Sequence, residues 1–336
     1  EIAQCLVGSE MCIRDSSMSA KVSVIVPVYN AEHTLNACLG NLVHQTLNDI
    51  EIILVNDAST DNSAAILTAC EQQFPDKILL VHLENNLGPG GARNVGLAYA
   101  SGDYIGFVDS DDFADPTMFD TMYTHAVTHD YDMVDCAYYQ QATDSLLLMT
   151  PDNCVGVLDD KKRSLLISGG GYLWSRIFRR ELFDQIHFRE HTILEDMEVM
   201  MQLFLNCRTL GTVKKPLYQY SATPNSASKS ENPAGYHKAI ISTMTAVYEK
   251  THSYSHYKNI QTAIEYSLLQ LYQYGLVNAM QTNTSLCTNQ RDTFLKELHS
   301  LRKKYVELPI SANQYVLEKF SKDDLELVMR IDALLH

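Results

Sequence analysis

From Lys21 onward, short runs of β-branched and apolar residues alternate with longer amphipathic segments, and no other feature restricts the fold as much. KVSVIVP (21–27) has the length and composition of a buried strand, AEHTLNACLGNLVHQ (31–45) the spacing of a helix, and IEIILVND (50–57) and STDNSAAILTACEQQF (59–74) repeat the pair. KILLVHL (77–83) is a third strand, and a helix over 92–100 followed by the strand DYIGFVD (103–109) closes the series. Strands joined through helices run parallel, with right-handed crossovers and helices on both faces. The sequence therefore predicts an α/β fold, a doubly wound and mostly parallel sheet.

Further along, Pro116 marks the start of a helix reaching 128, YDMVDCAYYQ (131–140) reads as a strand, and the chain is then irregular up to the GGG turn at 169–171. YLWSRIFRR (172–180) is strand-like, and 194–205 has helical spacing. After the polar, proline-containing SATPNSASKSENPAG (221–235) everything is helical in period and rich in Tyr, Leu and Gln. The expected organisation is an α/β domain over 18–230 and a helical C-terminal region over 231–336. Residues 1–17, EIAQCLVGSEMCIRDSS, lack the basic start of a signal peptide, and VGSEMCIRDS resembles translated sequencing adapter. They read as a non-native or disordered extension, with Met18 the better start.

Charge excludes several partners. The net charge is -15, and residues 1–234 alone hold 15 Lys/Arg against 31 Asp/Glu, a balance of -16. A nucleic-acid binder needs basic patches that neutralise phosphate, so nucleic acid is not expected as a partner. No run approaches the roughly 20 apolar residues of a membrane span. Eight cysteines without any CxxC suit reduced, buried thiols in the cytoplasm. The short basic run Arg302, Lys303, Lys304 is able to meet a membrane surface, but reads first as a solvated helix face.

Chemistry gathers at the strand ends. NNLGPGGARNVGLAYASGDYIGFVDSDD (85–112) joins a turn containing Gly88, Gly90 and Gly91 to Asp109, Asp111 and Asp112. In an open α/β sheet, ligands sit outside the carboxyl ends of the strands, and clustered acids there repel one another unless a cation neutralises them. A hard divalent ion, Mn²⁺ or Mg²⁺, suits oxygen ligands of this kind. Taken alone, DSDD fits a solvated acidic turn equally well. PVYN (27–30) and NDASTDNS (56–63) end two further strands. Asp57 is placed to accept from a base N–H, whereas Ser59 and Asp61 suit helix capping.

The glycine turn fits a dinucleotide site poorly, since Arg93 stands where the third glycine belongs, and no GxxxxGK[ST] occurs. His187, His191 and Glu195 have a spacing that would align zinc ligands on a helix, but HFREHTILE is a poor helix and these read as exposed or satisfied side chains. Glu195 and Asp196 open the amphipathic DMEVMMQLFL. There they either favour the helix dipole or supply a general base.

In order and spacing, PVYN, NDASTDNS, the 85–112 stretch, WSRIFRR and LED (194–196) resemble the family 2 glycosyltransferases of GT-A fold, over about residues 20–225. The resemblance implies inverting transfer of a sugar from a nucleotide-diphosphate sugar, usually a UDP-sugar, to an acceptor hydroxyl. Carried over, Pro27, Val28, Tyr29, Asn30 and Asp57 contact base and ribose, and Arg93 lies near the nucleotide. Asp109 and Asp111 match the DxD motif around Ser110, which shares the nucleotide-sugar site. Asp111 is the more direct ligand of Mn²⁺ or Mg²⁺, while Asp109 supports ribose or metal. Asp196 matches the catalytic base with Glu195 beside it, and Trp174 lies in the segment lining the donor-sugar and acceptor region. The sequence departs from the pattern at Asn56, where an aspartate is common, and at Arg176, where lysine is usual.

The resemblance further suggests cell-surface polysaccharide or glycoconjugate assembly on a saccharide or lipid-linked acceptor. That places a cytoplasmic protein at the inner membrane face, in peripheral contact with it. The helical tail is a candidate homodimer interface, membrane dock or acceptor cap, and its Tyr and Leu pattern is equally that of core. Two rival readings are a sugar-phosphate nucleotidyltransferase, whose GxGxR-type loop is replaced here by PVYN, and an inactive glycosyltransferase-like binding subunit.

Overall fold

The computed structural model describes residues 20–221, 233–280 and 288–335. The expected N-terminal extension and the boundary near residue 230 lie outside the described residues. In chain order the first part runs β1 (Val22–Val28), α1 (Leu35–Val43), β2 (Ile50–Asn56), α2 (Ser63–Gln73), β3 (Ile78–His82), α3 (Gly88–Tyr99) and β4 (Tyr104–Phe107). The middle holds β5 (Phe113–Ala114), α4 (Met118–His129), β6 (Met133–Gln140), β7 (Ser145–Leu147), β8 (Gly156–Val157), α5 (Asp160–Gly169), β9 (Arg176–Arg179), α6 (Glu195–Asn206) and β10 (Thr209–Tyr220). Helices α7 (Pro233–His252), α8 (Tyr257–Met280), α9 (Thr288–Tyr305), α10 (Gln314–Lys319) and α11 (Lys322–Leu335) follow.

The strands form one sheet in the order β3-β2-β1-β4-β9-β6-β10-β5, with β7 on β6 and β8 on β10. Strands β1, β2, β3, β4, β6 and β10 point one way, because β9 pairs antiparallel with both β4 and β6 and so restores the direction. The predicted mostly parallel, doubly wound sheet is therefore present. The chain winds outward from β1 to β3 and then returns to place β4 on the other side of β1. That reversal is the switch point at which such sheets bind ligands, beyond the carboxyl ends of β1 and β4.

Alternating side chains of one strand serve two cores. Val22, Val24, Val26 and Val28 of β1 pack with α1 and α4 on one face. Ile25, with Ile53, Ile105 and Phe107, packs on the other face against α6, and this second core continues into Ile240, Met244, Ile260, Ile264 and Leu268 of α7 and α8. The C-terminal helices thus bury their apolar faces on the same core as the sheet. At roughly 1.5–3 kcal/mol for each fully buried aliphatic side chain, this shared core holds them firmly in place. Among the described residues, no helix is long and apolar enough to cross a membrane.

Three elements differ from expectation. The glycine run is the first turn of α3 rather than a loop before it, with Pro89 at the helix start where its missing N–H costs nothing. Helix α5 fills part of the stretch that reads as irregular. Strand β10 has no strand pattern, because Lys214, Lys215 and Pro216 break the alternation; in the fold they sit where the register with β6 slips, a place a sheet tolerates proline.

Candidate active site

Beyond β4 the chain turns sharply, the Asp112 N–H donating to the Asp109 carbonyl at 3.0 Å. The acids of this turn part company. Asp112 is 3% exposed, its Oδ2 accepting from the Tyr218 hydroxyl at 2.7 Å and its Oδ1 from the Ser221 N–H at 2.8 Å. Tyr218 also accepts from the Asp109 N–H at 3.2 Å, so one phenol fixes both ends of the turn. Asp109 and Asp111 stay partly open to solvent. Burial, then the Asp109 charge, pushes the Asp112 carboxyl up to about 8. Burial likewise raises Asp109, with Arg93 opposing and Asp111 and Asp196 adding to the rise.

Arg93, on α3 and 7% exposed, joins this turn to the start of α6. Its Nη1 donates to Glu195 Oε1 in a short ion pair and its Nη2 to Asp109 Oδ1 at 3.2 Å, with the Phe188 ring against the guanidinium. A planar fork suits a two-carboxylate bridge, which an ammonium could not span as well. The guanidinium that the resemblance places near the nucleotide is thus committed to two carboxylates. Asp196, next to Glu195 in the first turn of α6, remains partly exposed. Burial raises its carboxyl, while Arg93 and the N–H groups of the helix start pull it down. Burial also raises Glu195, against the opposing pull of Arg93.

The approach to Asp196 is a tight backbone. His191 and Leu194 have φ of 54° and 63°, left-handed values that cost a non-glycine residue energy unless neighbours enforce them. The enforcement comes from α3, where the His191 N–H donates to the Leu87 carbonyl at 2.7 Å and Asn94 exchanges two hydrogen bonds with the Phe188 backbone. Gly90 permits this contact: a Cβ there would lie 2.1 Å from the Arg189 carbonyl oxygen. Gly90→Ala should therefore cost about 1–3 kcal/mol by chemical denaturation. Gly40→Ala, in the middle of α1 with nothing within 4 Å, should be neutral or stabilising. Equal stabilities for the two variants would contradict this packing.

At the other side of the crevice, the ends of β1 and β2 hold each other. Asn30, at φ 49°, accepts from the Thr60 N–H at 2.8 Å and donates its own N–H to Ser59 Oγ at 3.1 Å. Asp61, one residue before the N-cap Asn62, accepts from the Ser63 N–H and from the Glu32 N–H, and Ser59 bridges the two loops instead of capping. Asp57 is 2% exposed and accepts from the Leu87 N–H at 2.7 Å, so it also anchors the start of α3. Asn56, in place of the common aspartate, donates to His82 Nδ1 and accepts from the Ser59 N–H. Pro27 and Val28 lie within β1, Tyr29 exposes its ring at the mouth, and the Ser110 carbonyl accepts from the Thr34 hydroxyl.

Trp174 is not an open contact. It is 6% exposed and stacked with Tyr172 at 4.7 Å and Tyr218 at 4.5 Å, with Tyr220 also near parallel to it. Arg176 is fully buried beside Asp135 and donates to the Tyr172 carbonyl, so its role in the fold is internal. His187, His191 and Glu195 do not converge: only Glu195 is helical, and Arg93 takes it. Among the described residues, no cluster of three or more His, Cys, Asp or Glu side chains could by itself hold a metal ion. Tyr218 and the inward role of Asp112 have no sequence signal, since Tyr218 sits on β10.

The sheet order and its switch point, with a carboxylate turn beyond β4 bridged to a second acidic helix start, are the architecture of the GT-A fold. S. aureus TarS 1–349 shares that fold, with a TM-score of 0.68 at 20% identity, covering 94% of this chain and 92% of TarS 1–349. The mannosyltransferase PcManGT of Pyrobaculum calidifontis, solved with GDP-Man and Mn²⁺, follows at a TM-score of 0.56 and 15% identity, covering 95% and 81%. Among curated proteins, the uncharacterised glycosyltransferase EpsJ of Bacillus subtilis is 33% identical over 218 residues, which is 62% of this chain and 63% of EpsJ. The Glycosyl transferase family 2 sequence model matches residues 23–194, and the chain belongs to that family of glycosyltransferases.

Proposed function

We propose that this glycosyltransferase moves a hexose, with inversion, from a nucleotide-diphosphate sugar to an acceptor hydroxyl, with UDP as the nucleotide. The observation that carries the reading is the Asp109–Arg93–Glu195 bridge, which ties the carboxylate turn to the helix bearing Asp196. Binding machinery and a proton acceptor thus belong to one rigid unit. TarS 1–349 has been solved with UDP-GlcNAc, which supports the choice of donor class. Under this reading the crevice between the β1 and β2 loops takes the base and ribose, with Tyr29, Asn30 and Asp57 on its wall.

A divalent cation fits the donor set. Asp109 and Asp111 offer two partly open carboxylates in one turn, and Mg²⁺-type sites pair one or two carboxylates with substrate phosphates instead of an all-protein cage. Asp112 is excluded by its bonds to Tyr218 and Ser221. Bound there, Mn²⁺ or Mg²⁺ would act as a Lewis acid on the departing diphosphate. Asp196 takes the acceptor proton as the hydroxyl oxygen attacks the anomeric carbon from the face opposite the leaving group, and a single displacement of this kind inverts configuration. Family membership favours glycosyl over nucleotidyl transfer, and the presence of Asp109, Asp111 and Asp196 together favours an active enzyme over a binding subunit.

The acceptor is a saccharide or lipid-linked saccharide of the cell surface, with residues 18–230 as the transferase domain and 231–336 completing it. Peripheral membrane contact and a homodimer through the C-terminal helices belong to the same proposal. UDP with Mn²⁺ should raise the melting temperature by several degrees, and the metal chelator EDTA should abolish the rise. No shift with UDP, GDP, CDP or TDP at any Mn²⁺ or Mg²⁺ concentration would defeat the reading.

A further inference from the structure

The stack around Trp174 ends in an exposed ring. Tyr172 is 42% exposed, yet its ring lies within 10° of parallel to Trp174, which in turn lies on Tyr218, while Tyr138 meets both Tyr172 and Trp174 edge-on. An aromatic ring held at the surface by Trp174 and Tyr138, with its own carbonyl fixed by the buried Arg176, is a flat apolar plane that loses little freedom when something binds to it. The position of the plane is equally specific. Its phenol lies within electrostatic reach of Asp196 and of Tyr274, a half-exposed tyrosine of α8, and Tyr220 beside it is within reach of Asp111. The base of the column is the Tyr218 hydroxyl on Asp112. One continuous set of rings thus runs from the carboxylate turn, through Tyr218 and Trp174, to the exposed Tyr172.

We propose that the exposed face of Tyr172 is the acceptor subsite, a platform on which the apolar face of a pyranose ring stacks with its hydroxyl toward Asp196. The inference rests on the glycosyl-transfer reading and goes beyond it in assigning the acceptor contact to Tyr172, with Trp174 as the buried support. Pyranoses present C–H groups on one face and hydroxyls at the edge, which matches a ring plane flanked by a carboxylate and by the phenols of Tyr220 and Tyr274. Small-molecule sites of this kind combine a preformed apolar surface with a few polar groups that orient the ligand.

Trp174 is the only tryptophan in the chain, so its fluorescence reports this column alone. Methyl glycosides of glucose, galactose, mannose and N-acetylglucosamine are titrated into protein saturated with UDP and Mn²⁺ while the emission is followed. At least one should give a saturable change in the millimolar range. Tyr172→Ala should weaken that response at least tenfold, whereas Tyr172→Phe should keep it, and both variants should retain the wild-type melting shift with UDP and Mn²⁺. Absence of a saturable response to every glycoside, or an unchanged response in Tyr172→Ala, overturns the proposal. A response lost equally in Tyr172→Phe would assign the contact to the hydroxyl and overturn the stacking. The melting shift tests donor binding separately, so loss of the emission change with the shift intact counts against the platform and not against the glycosyl-transfer reading.

Discussion

Asp196→Asn should reduce transfer by about a thousandfold while leaving metal-dependent UDP binding unchanged, because it removes a proton acceptor and little else. Asparagine has nearly the same shape and can keep a side-chain oxygen toward the helix start. The pH dependence gives a second test. Burial raises the Asp196 carboxyl above its ordinary value, and only the ionised form can take the acceptor proton. Activity should therefore rise with pH along an acid limb lying above the usual aspartate range, and that limb should be missing from whatever turnover Asp196→Asn retains. The charged and titratable groups facing Asp196 are Arg93 from α3, Asp109 from the turn beyond β4, Arg189 from the preceding loop and Tyr172. Within α6 it is flanked by Glu195 and Glu198. Turnover of the variant within tenfold of wild type would remove Asp196 from the mechanism.

Arg93→Met should be the most destabilising single change at the site. It leaves Glu195, with a side chain 5% exposed, and Asp109 without their shared cation, and breaking a buried pair from one side costs about 3–5 kcal/mol. For a chain of this size the melting temperature should fall by roughly 10 °C. The double variant Arg93→Met with Glu195→Leu removes the stranded carboxylate as well and should regain part of the loss. A single variant that melts within 2 °C of wild type would show that Glu195 is neutral or solvated, contrary to the ion pair.

The two variants also separate roles that the sequence merges. Arg93 stands where the resemblance puts a residue near the nucleotide, but its two hydrogen bonds go to carboxylates of the protein. Trp174 stands in a segment associated with sugar recognition, but the ring that reaches solvent there is Tyr172. In each case residue type and position were readable in the sequence, while the direction in which the side chain is used was not.

The strands that carry PVYN, NDASTDNS and DSDD were legible because each is local. A run of β-branched residues followed by polar punctuation places its last side chains beyond the sheet edge whatever the rest of the chain does. The LED start of α6 was legible for the same reason, from helical spacing behind a pair of acids. Strand β10 was not, since Lys214, Lys215 and Pro216 disguise it, and with it went Tyr218 and the inward turn of Asp112.

By itself, then, the sequence determined the winding of the sheet, the four polar strand ends that meet at its switch point, and the acids available for chemistry. Those follow from periodicity and spacing within a few tens of residues. Only the tertiary structure decided how the acids are divided: Asp112 goes to Tyr218, Glu195 and Asp109 share Arg93, and Asp196 remains partly open. That division depends on partners up to 109 residues apart and on which carboxylates are withdrawn from water, and burial is a property of the assembled core that no local pattern encodes.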